Sequence, residues 1–363
     1  MTTKLHGNIL INDSFIEAEI LFTNKIQSIT KLGPLKDNLP KIIPGFIDLH
    51  IHGGGGADIM EGGSAPSIIA STHARFGTTS FLATTMTAPY EELEKSFLSM
   101  KKIFFNRGPK EARLLGVHLE GPFISSKKLG AQPDHVRAAT LKEIEKLHNI
   151  VTIKTLTLAP EVFNNLDFIA DLVALNIMVQ IGHTNGSYED GVKALNLGAK
   201  SFTHLFNAMS SFHHREPGMV GAALAHAIHA ELIPDLLHVH PGAIKAALRS
   251  IPNLYFVTDA TSATGMPDGD YKLGSNTVHK CLGGVRLTDG TLAGSSLTMD
   301  QALRNLVSLG LSIAEASKRL SQIPAELIGA NNRGVIKEQN FSDLLVLNDD
   351  LTLKEIYIEG EIL

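Results

Sequence analysis

Short runs that alternate apolar and polar residues open and close this chain, and a different rhythm fills the middle. Residues 7–11, 16–22 and 26–29 read as strands, divided by the turn-forming Asn12-Asp13 and Thr23-Asn24-Lys25. Residues 334–336, 344–347 and 355–359 repeat the pattern at the far end, with Asn348-Asp349-Asp350 as a turn. Neither terminal piece can bury a core alone, so residues 1–43 and 332–363 are expected to pair into one small β-sandwich domain.

Between them, apolar strands alternate with stretches of helical period. Eight strands are expected, at 43–50, 80–84, 114–119, 152–158, 177–181, 201–203, 236–239 and 254–258. Segments such as 90–104, 165–175 and 188–197 carry apolar residues at helical spacing. Eight β/α units predict a (β/α)₈ TIM barrel across 44–331, a fold whose site lies at the carboxyl ends of its strands. A glycine-rich β insertion is expected at about 271–293, followed by helices over 299–309 and 313–322.

Composition narrows the class without changing this picture. With 363 residues and 44% hydrophobic content, the chain can bury a large core. A net charge of -5 and a pI near 6.3 provide no broad basic field, so nucleic acid is not expected as a partner. No apolar run reaches membrane-spanning length and the opening residues lack a signal-peptide pattern, so a cytoplasmic location is expected, with no membrane partner. The single cysteine, Cys281, allows no internal disulfide, suits a reducing compartment and rules out a cysteine metal cage.

The chemistry begins in the stretch PGFIDLHIHGGGG, residues 44–56, which runs from an apolar strand into a glycine-rich loop. Alternate residues of an extended strand share a face, so Asp48, His50 and His52 are expected to point one way, and two neighbouring imidazoles can close on one metal ion. A chance pairing is the plainer reading, and what decides is whether ligand types recur where other strands stop. Glu120 ends the third strand, His183 the fifth, His204 the sixth, His238 the seventh and Asp259 the eighth. Singly, Glu120 and Asp259 could cap turns and the histidines could be hydrogen-bonded core residues. Around one mouth, so many ionisable groups are costly to bury unless a cation compensates them.

The motifs PGFIDLHIHGGGG, HLEGPFIS, GHTNG, THLFNAMS, REPG, VTDAT and AGSSLTMDQALRNLV extend over nearly the whole chain. In them the sequence resembles the amidohydrolase superfamily and, within it, the N-acetylglucosamine-6-phosphate deacetylase family. The resemblance implies metal-dependent removal of acetate from N-acetyl-D-glucosamine 6-phosphate. It implies that Glu120, His183 and His204 hold a catalytic divalent metal, and that His50 and His52 hold a second ion bridged by Glu120, giving one or two ions per subunit. Zinc and iron both suit such nitrogen and oxygen donors.

Further roles follow from the same resemblance. Asp259, beside the metal, is expected to act as general base and then acid, and His238 to polarise the substrate carbonyl. Arg215 matches a phosphate-contacting arginine that reaches the neighbouring subunit's site, which implies a homodimer, and Asn207 and Ala208 match the other phosphate contacts. Gln132 stands where family members often carry a sugar-holding histidine, and this leaves the galactosamine epimer as the alternative substrate. Wider rivals are an N-acyl-amino-acid deacylase and a non-catalytic sugar-phosphate binder; the phosphate-site residues argue against the first, the intact Asp259 and ligand set against the second.

Overall fold

The computed structural model describes residues 2–363. Its centre is a ring of parallel strands in chain order: Phe46–Ile51, Thr78–Thr85, Arg113–Glu120, Ile153–Leu158, Met178–Ile181, Ser201–Phe202, His229–Leu232 and Asn253–Phe256. The first six form one sheet and the last two pair with each other. Two seams close the ring through main-chain bonds beyond the strands. Leu205 N–H donates to Glu231 O at 2.8 Å, and Asp259 N–H donates to His50 O at 3.0 Å. Every residue of the first two strands is buried, as expected of parallel strands covered by helices outside and side chains inside. The molecule is therefore a (β/α)₈ barrel with an added sheet domain.

Outside the ring, the expected helices appear at Tyr90–Phe105, Asn165–Ala174, Tyr188–Asn196 and Met299–Ser308. The stretch 313–322 breaks into Ile313–Leu320 and Gln322–Leu327. Ser312 starts the first of these by accepting a bond from Glu315 N–H at 3.1 Å.

Three strand expectations need correction. The seventh strand is His229–Leu232, and 236–239 is a loop folded around Asp235, whose carboxylate accepts from the N–H groups of Leu237 and His238, each at 2.9 Å. Both stretches are rich in apolar residues, and the true strand is disguised by the buried Glu231 within it. Ile43 does not begin the first barrel strand, because Lys41–Pro44 pairs with Leu344–Leu347 and with Thr3–Ile11 in the other sheet. Residues 334–336 form no strand.

That other sheet takes seven strands from both ends of the chain, in the order Glu361–Ile362, Leu353–Ile358, Leu344–Leu347, Lys41–Pro44, Thr3–Ile11, Ser14–Phe22 and Ile26–Pro34. It curls until its flanks meet. Phe22 and Tyr357, on strands with three others between them, stack edge to face with ring centroids 5.2 Å apart over Ile9, Ile20, Ile42 and Val346. A single sheet thus encloses a core in the manner of a sandwich.

After the eighth barrel strand comes a four-stranded antiparallel sheet: Gly269–Leu273, Asn276–Cys281, Gly284–Arg286 and Leu292–Ser295. Leu273, Val278, Val285 and Ala293 pack there with Met86 and Ala263. This positions Thr291, Leu292 and Gly294 on the wall of the cavity at the barrel mouth.

Candidate active site

The carboxyl ends of the first, third, fifth, sixth and eighth strands deliver six side chains to one point. His50, His52 and Asp259 form one trio of donors, and Glu120, His183 and His204 form another, all of them buried. In the first, His50 Nε2 lies 3.1 Å from His52 Nε2, and Asp259 Oδ1 lies 3.4 and 3.3 Å from those two nitrogens. In the second, His183 Nε2, His204 Nε2 and Glu120 Oε1 are mutually 3.1 Å apart. Glu120 joins the trios, since its Oε2 stands 3.2 Å from His52 Nε2 and 3.5 Å from His50 Nε2.

These spacings fit metal ions. A tetrahedral ion with ligands at about 2.0–2.1 Å separates neighbouring donors by about 3.3 Å. The tautomers fit as well. His50 Nδ1–H donates to Glu231 at 2.7 Å, His52 Nδ1–H to Thr84 O at 3.0 Å and His183 Nδ1–H to Lys128 O at 2.8 Å, so each Nε2 lone pair faces the centre. Electrostatics point the same way. Burial works to lower His52, yet Asp259 and Glu120 outweigh it and carry the imidazole up to about 9, so the pocket draws positive charge.

The backbone is strained where these groups are presented. His183, His204, Ala208 and Asp259 hold φ of 47°, 27°, 51° and 51°, a region that non-glycine residues rarely occupy. Asp259 is pinned from both sides, by its own N–H to His50 O and by Ser295 N–H to its carbonyl at 2.7 Å. Gly294 is required beside it: φ is 58°, and a Cβ would sit 2.7 Å from Thr261 Cγ2 and 2.9 Å from Asp259 O.

Asp48 does not join the trios. Its Oδ2 accepts from Thr258 Oγ at 2.6 Å, and Oδ1 accepts from His50 N–H at 3.2 Å, so it ties the first strand to the eighth one layer below. Burial pushes its carboxyl up to about 7 against those hydrogen bonds. Pairing with the second strand shifts register between Asp48 and Ile51, and Asp48 takes part in neither trio.

Above the two donor trios lies a cavity of about 340 Å³, lined by Gln132, Asn207, Ala208, His238 and the trio residues His52, Glu120, His183, His204 and Asp259. His238 comes from the loop after the seventh strand and is held by Nδ1–H donating to Asp235 at 2.7 Å. Gln132 is buried, with Nε2 donating to Glu120 Oε2 and Oε1 accepting from Thr87 N–H, each at 2.7 Å. Arg215 lies apart from its own chain's cavity, on an exposed loop, with Nη1 2.9 Å from His214 Nε2. His240 caps the helix Pro241–Ser250 by accepting from Gly242 N–H at 3.1 Å.

Sequence reasoning missed the residues that hold others in place: Glu231 beneath His50, Asp235 beneath His238, and Lys127 and Lys128 at the cavity wall. Asp235 had a signal in its spacing of three from His238; the two lysines had none beyond adjacency to HLEGPFIS.

Residues 42–363 match the sequence profile of the amidohydrolase family. The chain belongs to that family. This amidohydrolase is 39% identical to the N-acetylglucosamine-6-phosphate deacetylase of Lysinibacillus sphaericus over 331 residues, 88% of this chain and 85% of the relative. It is 36% identical to the N-acetylgalactosamine-6-phosphate deacetylase of Escherichia coli O157:H7 over 88% of this chain and 87% of the relative. In three dimensions it matches a variant of N-acetyl-D-glucosamine-6-phosphate deacetylase from Mycobacterium smegmatis, solved in complex with N-acetyl-D-glucosamine-6-phosphate. The TM-score is 0.93 at 28% identity, covering 99% of each chain. As an amidohydrolase the protein is a metal-dependent hydrolase, with both donor trios in place. No helix is long and apolar enough to cross a membrane among the described residues.

Proposed function

We propose that this enzyme hydrolyses the acetamide of N-acetyl-D-glucosamine 6-phosphate, releasing acetate and D-glucosamine 6-phosphate for amino-sugar catabolism. The observation that carries the reading is the pair of donor trios joined by Glu120 beneath a cavity that also presents His238, Asn207 and Ala208. The two trios would hold a divalent ion, zinc or iron, which when bound would supply Lewis-acid polarisation of the amide and lower the pKa of the attacking water. Asp259 Oδ1 sits beside both His50 and His52, where it takes the proton of that water and returns it to the departing amine. His238, steadied by Asp235, donates to the carbonyl oxygen as charge builds there. Two ions per subunit are the occupancy the six ligands support.

Phosphate binding is assigned to Asn207 and Ala208 within the chain and to Arg215 of a second copy, because Arg215 is exposed and does not line its own cavity. A homodimer is thus the working unit, and the cytoplasm is its proposed location. One further reading has support of its own: Gln132 and the E. coli relative leave the galactosamine epimer open. Acetate release from both 6-phospho epimers and from unphosphorylated N-acetylglucosamine, with elemental analysis of the same protein, tests the proposal. Preference for the gluco epimer with a strong phosphate dependence is expected; equal rates with and without phosphate would overturn it.

A further inference from the structure

Beneath the metal ligands is a carboxylate to which the reaction gives no role. Glu231, in the middle of the seventh strand, is fully buried, and no lysine or arginine pairs with it. Its Oε1 accepts from His50 Nδ1–H at 2.7 Å and from the main-chain N–H of His204 at 3.0 Å. Its Oε2 lies 3.3 Å from Tyr255 Oη, whose single proton is directed at the nearer Gln180 Oε1 at 2.7 Å. Glu231 therefore reaches both donor trios from below, as Glu120 does from above: it grips a ligand side chain of one and the backbone of a ligand of the other.

The two trios are supported unequally. His183 leans on the Lys128 carbonyl, and His204 Nδ1 finds no acceptor among the described residues. Only His50 has an anion behind it. A buried carboxylate is costly to desolvate, and one imidazole hydrogen bond repays that cost poorly unless net positive charge lies on the far side of the ring. A carboxylate on the outer nitrogen also raises the basicity of the nitrogen facing the metal.

We propose that Glu231 is a positioning residue that makes the His50, His52 and Asp259 trio retain its own ion. This rests on the two-ion reading above. Glu231 fixes the His50 tautomer, supplies the negative charge that strengthens Nε2 as a donor, and keeps the ring in register with the sixth-strand loop that carries His204. Its charge, and not merely its shape, is what the trio requires.

The test is Glu231→Gln, which keeps the volume and the acceptor oxygen and removes the charge. Wild type and variant are loaded with Zn²⁺, passed through a graded chelator series, and read by elemental analysis per subunit. Two ions in wild type, with one held about 10- to 100-fold more weakly in the variant, is the expected result. Introducing His183→Ala should leave one ion in the otherwise native chain, and in the Glu231→Gln background that remaining ion should be the one lost earlier in the chelator series, which assigns the weakened ion to the His50 side. Two ions of unchanged affinity in Glu231→Gln would overturn the role of Glu231 and leave the two-ion reading standing. A wild type that takes up a single ion would overturn the two-ion reading itself and this inference with it. Should Glu231→Gln fail to fold, Glu231→Asp carries the test: it draws the carboxylate back from His50 Nδ1 and is expected to weaken the same ion several-fold, and wild-type affinity there would overturn the proposal.

Discussion

Gln132 donates from Nε2 to Glu120 Oε2 at 2.7 Å while its Oε1 accepts from Thr87 N–H at the same distance. The carboxamide is clamped by the chain, which leaves one N–H and one Oε1 lone pair to offer a sugar hydroxyl. Oε2 is also the Glu120 oxygen nearer His52, so Gln132 orients the bridging carboxylate toward the first trio. Gln132→Ala is therefore expected to weaken metal retention about tenfold or more. It should lower kcat/KM for the gluco and galacto epimers by similar factors. Loss of activity on one epimer alone, with metal content intact, would assign Gln132 to sugar recognition.

Asp259 has two duties that one substitution separates only in part. It stands within 3.4 Å of both His50 and His52 nitrogens, and in the proposed reaction it is the carboxylate that moves the proton. Asp259→Asn keeps an oxygen for ligation and loses the basic site. A fall in kcat of about 10²- to 10⁴-fold is expected, with the protein still folded and the Glu120, His183 and His204 ion still present. Turnover near the wild-type rate would remove Asp259 from the chemistry.

Much of this centre could be read from the chain because barrel topology turns strand ends into neighbours. His50, His52, Glu120, His183, His204 and Asp259 each stop a strand or follow one, and the ring brings them together. The supports were hidden for a physical reason. Glu231 is 181 residues from His50, and a carboxylate inside an apolar strand reads as a break in that strand, so the same residue concealed both the seventh strand and the second layer of the site. Asp48, expected on the face of His50 and His52, is engaged instead by Thr258 and joins neither trio. The 344–347 strand was read to the residue, since a short apolar run between polar turns leaves little choice.

The junction of barrel and sheet domain gives a stability prediction with a definite sign. Glu359 accepts from Arg113 Nε and Nη2, each at 2.8 Å, and from Arg333, which also grips Asp343. Burial alone would raise the Glu359 carboxyl; Arg113 and Arg333 more than reverse this and bring it to about 2, from an ordinary value of 4.5. A depressed carboxylate contributes stability that is fully present above the unfolded value and lost as pH falls toward the folded one. Linkage puts the contribution at about 3 kcal/mol at most. Glu359→Gln should lower the Tm by a constant amount between pH 7 and 5, and the gap should narrow below pH 4.5 and close near pH 2. Asp343, raised by burial and in part by the Glu359 charge itself, is expected to titrate lower in the variant, so the same comparison in an Asp343→Asn background isolates the Glu359 contribution. A Tm gap that does not change with pH would show that packing, not charge, is what Glu359 supplies.

Arg215 poses the question of which subunit completes the site. It is exposed, contacts His214, and does not line the cavity of its own chain. If it serves a partner, Arg215→Ala should raise KM for the 6-phosphate sugar at least about tenfold, the loss of one charge-assisted contact, and leave the unphosphorylated sugar little affected. Mixing is the sharper measurement. An Arg215→Ala subunit keeps Asp259, and an Asp259→Asn subunit keeps Arg215, so a mixed dimer contains one complete site. Reassembling the two weak variants together should restore activity at low substrate to about a quarter of the wild-type level, because half of the dimers are mixed and each has one good site of two. Activity that stays at the average of the separate variants would mean that Arg215 works within its own chain or not at all.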